Sequence, residues 1–216
     1  GFVYALSVAK AFMVAEDISD ALIVTCDPYS RIMDREDRDT IALFGDAAAA
    51  TWLSSESGAE IGRLDFGTDG GGAEHLIVRA GGAARPLSAL HHNAPPDDPR
   101  KDYRLSMNGR GIFNFMMTRV PTSMERALQK NDLKVGDIDL FAFHQGSRFL
   151  LEQMRDRLRL PAEKVIINLE RYGNTVSSSI PIILAEQMKA SGLAGKKVLI
   201  SGFGVGLSWA TNILSF

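Results

Sequence analysis

The chain has 216 residues, 45% of them hydrophobic and 23% charged, and its 24 Lys+Arg against 26 Asp+Glu leave a formal net charge of −2. That apolar fraction builds a packed core and excludes a disordered chain. The near-neutral balance argues against a general nucleic-acid binder, which needs basic residues in excess to neutralise phosphates. No apolar run approaches the ~20 residues of a membrane span. The one cysteine, Cys26, excludes an internal disulfide and a multi-cysteine zinc site, and fits a reducing cytoplasm.

Residues 1–16 predict a helix, because Phe2, Leu6, Ala9 and Met13 recur at three- and four-residue spacing with Lys10 on another face. With no N-cap and no leader before it, this end reads as a cut, a processing site or the start of an internal piece, and the strand closing at Phe216 as a natural end. Residues 21–26 form a short apolar run that suits a buried strand, with Cys26 as a buried structural thiol. Residues 34–40 read as a charged, solvated loop. The turn Phe44-Gly45-Asp46 feeds a buried segment over 47–52, whose alanines leave helix or strand open. Further strands are predicted at 61–66 and 76–78 around a glycine-rich linker, with His75 structural. Residues 80–102 are a long excursion rich in Gly, Pro, Ala and Asp. It holds His91-His92 without convergent carboxylates or thiols, so no metal site is expected.

The second half has a clearer rhythm. Helices are predicted at 111–130 (bent by Pro121), 148–158 and 175–190, and strands at 138–143, 165–169, 198–201 and 207–214. Strands alternating with helices of this length predict an α/β layered fold.

Two polar residues follow predicted strands. His144 sits directly after 138–143, and Asn174 lies at the mouth of the helix beyond 165–169. Taken singly, His144 reads as a ring satisfied by a backbone carbonyl and Asn174 as a helix cap. Taken together they follow strands expected to be sheet neighbours, at the strand ends where α/β sheets bind ligands. An imidazole N–H and a carboxamide NH2 meeting there would offer two fixed donors to a developing oxyanion or enolate. The turn Gly202-Phe203-Gly204-Val205-Gly206 fails as a dinucleotide fingerprint, because Leu207 replaces the third glycine and a strand follows. It reads instead as close backbone approach to a substrate or a buried neighbour. Arg148, Arg155, Arg157 and Arg159, with Arg110, form a basic cluster. Either they pair along the helix with Glu152 and Asp156 or they dock an acidic partner.

These segments carry a family likeness over nearly the whole chain. Gly1-Phe2-Val3-Tyr4-Ala5-Leu6 resembles the stretch after the nucleophile in β-ketoacyl-acyl-carrier-protein synthase III enzymes, which belong to the thiolase-like condensing enzymes. Phe44-Gly45-Asp46-Ala47-Ala48-Ala49, Met107-Asn108-Gly109-Arg110, His144-Gln145, Arg171-Tyr172-Gly173-Asn174-Thr175 and Gly202-Phe203-Gly204-Val205-Gly206 match later family motifs in order. The resemblance implies a thiolase-like α-β-α-β-α fold, with residues 1–72 ending the first repeat and 73–216 forming the second. It makes His144 and Asn174 the catalytic pair of a Cys-His-Asn triad whose cysteine lies two residues before Gly1. Substrate binding falls to Phe203, Gly204, Gly206, Asn108 and Arg110, and carrier-protein docking to Arg148, Arg155 and Arg159. The implied reaction is a decarboxylative Claisen condensation of an acyl thioester with malonyl-acyl-carrier protein, in fatty acid or polyketide biosynthesis. Acyl-CoA is a substrate, no cofactor or metal is needed, and the enzyme is a homodimer acting away from membranes and nucleic acid. A non-decarboxylating acyltransferase and a non-catalytic thiolase-fold subunit are the alternatives. Two departures, His144-Gln145-Gly146-Ser147 for the usual His-Gln-Ala-Asn and fewer glycines after Phe203, point to an unusual acyl group or to secondary metabolism.

Overall fold

The computed structural model describes residues 1–86 and 102–216. His91 and His92 lie outside the described residues. The chain opens with helix α1 (Phe2–Ala15), followed by strand β1 (Asp20–Asp27), the short helix α2 (Arg38–Ile41) and β2 (Ala47–Ser54). Short strands β3 (Glu60–Ile61), β4 (Asp65–Thr68), β5 (Leu76–Ile77) and β6 (Ser106–Met107) lead to the long helix α3 (Gly109–Lys130). Then come β7 (Leu140–Phe143), α4 (Arg148–Leu158), α5 (Leu169–Tyr172), α6 (Ser179–Ala190), β8 (Lys197–Gly204) and β9 (Ser208–Ser215).

Two sheets organise these elements. β1 and β2 form an antiparallel pair. The larger sheet runs β3-β9-β8-β7, with β4 also on β9, β7 parallel to β8, and the other pairs antiparallel. β5 and β6 make a small separate pair. Because successive strand residues point to opposite faces, β7 and β8 serve two cores at once. Phe141, Phe143 and Leu199 join Met116, Val120, Leu151 and Met154 of α3 and α4 in one cluster. Ala142, Val198 and Ile200 join Phe2, Val3, Leu6, Ile180 and Ile183 of α1 and α6 in the other. Ile23 and Leu53 of the small sheet pack on that second cluster, so α1 and α6 lie between the two sheets. The described residues thus supply four layers of an α-β-α-β-α stack. Among them no helix covers the outer face of β1–β2, and none is long and apolar enough to cross a membrane.

Several expectations need correction. Residues 165–169 form no strand: Val165 makes one bridge to Phe141, and Gln145 fills the rest of the space. Its Nε2 donates to the carbonyls of Phe143 and Ile166, and its Oε1 accepts from the Asn168 N–H. A buried side chain thus replaces ladder bonds that the backbone would have made. The strand predicted at 61–66 is split into β3 and β4, both on β9. Residues 47–52 are strand, not helix, because they pair with β1 along its length. β1 is buried on one face only, and Cys26 is exposed, not buried. It shares the outer face with Leu22 and Val24, since those residues are two apart. The loop at 34–40 ends in α2, capped by Asp37, whose carboxylate accepts the Thr40 N–H.

Candidate active site

One cavity of about 920 Å³ opens where α1, the turn between α2 and β2, the end of β7, α6 and β8 converge. Its wall includes Gly1, Phe2 and Val3 at the start of α1, His144 just after β7, Asn174, and Gly202, Phe203 and Gly204 at the end of β8.

Asn174 is placed by backbone approach. Its N–H donates to the Leu43 carbonyl at 2.7 Å and its own carbonyl accepts the Gly45 N–H at 3.0 Å. Two glycines permit that contact. A Cβ on Gly45 would stand 2.0 Å from the Tyr172 carbonyl oxygen. Gly173 adopts φ 68, ψ −164, a region open essentially to glycine alone. With its backbone fixed, the Asn174 side chain accepts the Val176 N–H at Oδ1, 3.0 Å away. The carboxamide NH2 is the end left over, and among the described residues it has no hydrogen-bond acceptor.

His144 is held from the other side. Its N–H donates to the Ser201 carbonyl at 2.8 Å, which continues the β7–β8 ladder by one residue. Its Nδ1 lies 2.9 Å from Ser179 Oγ, and the Phe203 ring meets the imidazole edge-on at 5.3 Å. Burial pushes the imidazole down to about 4, against opposing pulls from the Val176 carbonyl and the Asp27 carboxylate. The ring is therefore neutral at pH 7.

The segment 174–179 links the two. Val176, at φ 52, occupies the left-handed region that β-branched residues avoid. Its N–H holds Asn174 and its carbonyl lies 2.9 Å from Ser179 Oγ. Ser177 donates from its N–H (3.1 Å) and its hydroxyl to Asp27 Oδ2, and Ser178 Oγ lies 2.8 Å from Thr25 Oγ1. Three consecutive serines thus fasten the loop to β1 and to His144. Sequence reasoning passed over Val176, Ser179 and Asp27, and named Gln145 only as part of a motif. The signal available was the run Ser177-Ser178-Ser179, an unusual polar stretch for the start of a buried helix.

The other expected residues divide. Phe203 and Gly204 line the cavity, and a Cβ at Gly204 would meet nothing. Gly206 does not line it. That glycine is needed for its φ of 138 and because a Cβ would fall 2.3 Å from Ser208 Oγ. The close approach expected of this turn belongs instead to Gly202, whose Cβ would lie 3.3 Å from Val3 on α1. Asn108 caps α3, accepting the Gly111 N–H, and stands outside the cavity wall. Arg110 is exposed at the rim and, among the described residues, pairs with no carboxylate. Arg148 pairs with Glu152 and Glu170, and Arg155 with Asp156. Arg159, exposed at the far end of α4, is about 16 Å along the helix axis from Arg148. Only the first turn of α4, through Phe149 and Leu150, reaches the cavity.

Comparison with known proteins decides the lineage. Residues 1–70 match the model of 3-oxoacyl-[acyl-carrier-protein] synthase III, and residues 128–216 match the model of its C-terminal part. The chain belongs to the 3-oxoacyl-[acyl-carrier-protein] synthase III family. It is 35% identical over 218 residues to the β-ketoacyl-[acyl-carrier-protein] synthase III of Acaryochloris marina, aligning 100% of this chain with 64% of that protein. A crystal structure of a 3-oxoacyl-(acyl-carrier-protein) synthase III matches at 38% identity and a TM-score of 0.91, covering 100% of this chain and 66% of the other. The Thermus thermophilus synthase III follows at 35% and 0.87, with coverages of 100% and 65%. The priming β-ketosynthase of the R1128 polyketide pathway matches at 28% and 0.87, with 100% and 63%. The fold of this family member is the thiolase-like fold. The chain spans about 64% of the length of the curated relatives it matches.

Proposed function

We propose that the full-length protein is an acyltransferase that catalyses decarboxylative Claisen condensation between an acyl thioester and a malonyl thioester. The reading rests on one observation above the rest. A neutral histidine and an asparagine whose NH2 end has no acceptor among the described residues stand on the wall of the same cavity as the first turn of α1.

The nucleophile is a cysteine in the stretch preceding Gly1, at the amino end of α1, where the helix dipole favours a thiolate. It takes the acyl group from a thioester such as acyl-CoA, and the CoA thiol leaves. A malonyl thioester carried by acyl carrier protein then enters. His144 Nε2 and Asn174 Nδ2 donate to its thioester carbonyl oxygen, which becomes the enolate oxygen as CO2 leaves. The carbanion attacks the acyl-cysteine, the Gly204 backbone at the open end of β8 faces the second oxyanion, and collapse of that intermediate expels the cysteine thiolate and leaves the β-ketoacyl thioester. Burial suits these roles, because fixed dipoles in a water-poor site need no reorganisation as charge develops. Phe203 limits the ring motion of His144 by edge contact. Arg110, exposed at the rim and without a carboxylate partner among the described residues, and Arg159 receive the acidic carrier or coenzyme phosphates. Arg148 and Arg155 would first have to leave their carboxylate partners.

The division into repeats, 1–72 and 73–216, is part of the proposal. It is supported by the separation of β1–β2 from the sheet of β7–β9, whereas β3 and β4, which precede residue 72, pair with β9 in that second sheet.

The test uses the full-length protein. Replacing His144 or Asn174 by Ala should lower CO2 release from a malonyl thioester about 10²–10³-fold, the usual cost of one oxyanion donor. Self-acylation by acyl-CoA should fall far less. Decarboxylation that survives both changes overturns the assignment.

A further inference from the structure

A neutral imidazole carries one hydrogen, and its neighbours decide which nitrogen holds it. At His144 the neighbour of Nδ1 is Ser179 Oγ, 2.9 Å away, on a serine only 3% exposed. The same oxygen lies 2.9 Å from the Val176 carbonyl and 3.5 Å from the Gln145 amide nitrogen. A hydroxyl has a single hydrogen, so it serves either Nδ1 or the carbonyl.

The carbonyl has a donor already. The Ser179 backbone N–H donates to it and closes the 3-10 turn at 176–178. The Gln145 N–H can use only a lone pair of Oγ, which leaves the hydroxyl hydrogen free. Nδ1, by contrast, has no other donor among the described residues, and the Val176 carbonyl, the other polar group acting on the ring, is an acceptor. We propose that Ser179 is a positioning residue: it donates its hydroxyl hydrogen to Nδ1 and so fixes His144 in the tautomer that carries hydrogen on Nε2. Its catalytic consequence rests on the proposed function, in which Nε2–H and the Asn174 NH2 bond one oxygen. The tautomer itself does not depend on that reading.

The inference separates Ser179 from a residue that merely fills space. Without the hydroxyl, the Val176 carbonyl becomes the polar partner of Nδ1 and draws the hydrogen to that nitrogen. Nε2 is then left with a lone pair, which repels an enolate oxygen.

The experiment is 15N NMR of histidine-labelled full-length protein at pH 7, read beside CO2 release. The parent protein should show a protonated-type Nε2 and an unprotonated-type Nδ1 at His144, and Ser179→Thr should keep that pattern. Ser179→Ala should reverse it and lower CO2 release about 10²–10³-fold. The inference is overturned if the parent protein already carries its hydrogen on Nδ1, which needs no variant to establish, or if Ser179→Ala leaves the pattern unchanged. If the tautomer reverses while CO2 release is unaffected, Ser179 acts as inferred and it is the decarboxylase reading of the site that fails.

Discussion

His144 is neutral because burial disfavours its charged form, and that has a consequence for stability as well as chemistry. The unfolded imidazole titrates near 6.5 and the folded one near 4. Between those values the unfolded chain takes up a proton that the folded chain refuses. The contribution is therefore whole above about pH 6.5, shrinks as pH falls, and is gone below about pH 4, amounting to about 3 kcal/mol. Urea unfolding at pH 7 and pH 4.5 checks this against His144→Gln. The variant should lose about 2–3 kcal/mol less than the parent over that interval. Equal losses would mean that the ring is not held neutral by the fold. At this scale the sequence was informative where a residue's chemistry sits beside a strand end, as with His144. It was misleading where neighbours decide. Nothing in 21–26 shows that Cys26 points outward, because that depends on which face of β1 the helices α1 and α6 cover.

The element that carries most of the site is the loop from Leu169 to Ser179, and its shape is set by backbone contact. Gly45 and Gly173 let it lie against the Leu43–Gly45 turn, and Glu186 on α6 ties it down by accepting from Tyr172 Oη (2.8 Å) and Asn168 Nδ2 (2.9 Å). Gly173→Ala forces a side chain into a glycine-only conformation, at a cost of about 1–3 kcal/mol. It should lower the melting temperature and depress CO2 release beyond what the stability loss explains, because Asn174 is the next residue. A variant that melts lower yet decarboxylates at the parent rate would show that Asn174 is not placed by this contact. Helices α1 and α4 were legible from apolar spacing, and β7 and β8 from their β-branched and aromatic runs. The strand expected at 165–169 was not distinguishable from the extended segment found there. Its apolar run is the same in both, and what removes the ladder is Gln145, whose amide takes the carbonyls of Phe143 and Ile166 and gives its oxygen to Asn168.

Across the whole molecule, the helical layers are unevenly distributed. The outer face of the larger sheet carries α3 and α4, whereas the outer face of β1–β2 presents Leu22 and Val24, each 64% exposed, and Trp52, 72% exposed. The exposed side of α1 adds Val8 and Phe12. Exposed apolar surface of this kind drives association. The 216-residue chain should accordingly bind a hydrophobic dye and sediment as larger species at higher concentration, and Val24→Lys with Trp52→Lys should reduce both. Concentration-independent sedimentation as a single small species would contradict this. The layered order followed from alternating helices and strands, but the layers that each helix would occupy did not, because period alone does not say which faces meet.

The most direct measurement is a crystal structure of the full-length protein with a non-hydrolysable malonyl thioester analogue. The thioester carbonyl oxygen should lie within about 3.2 Å of both His144 Nε2 and Asn174 Nδ2. An analogue bound with that oxygen touching one of them or neither would contradict the central claim.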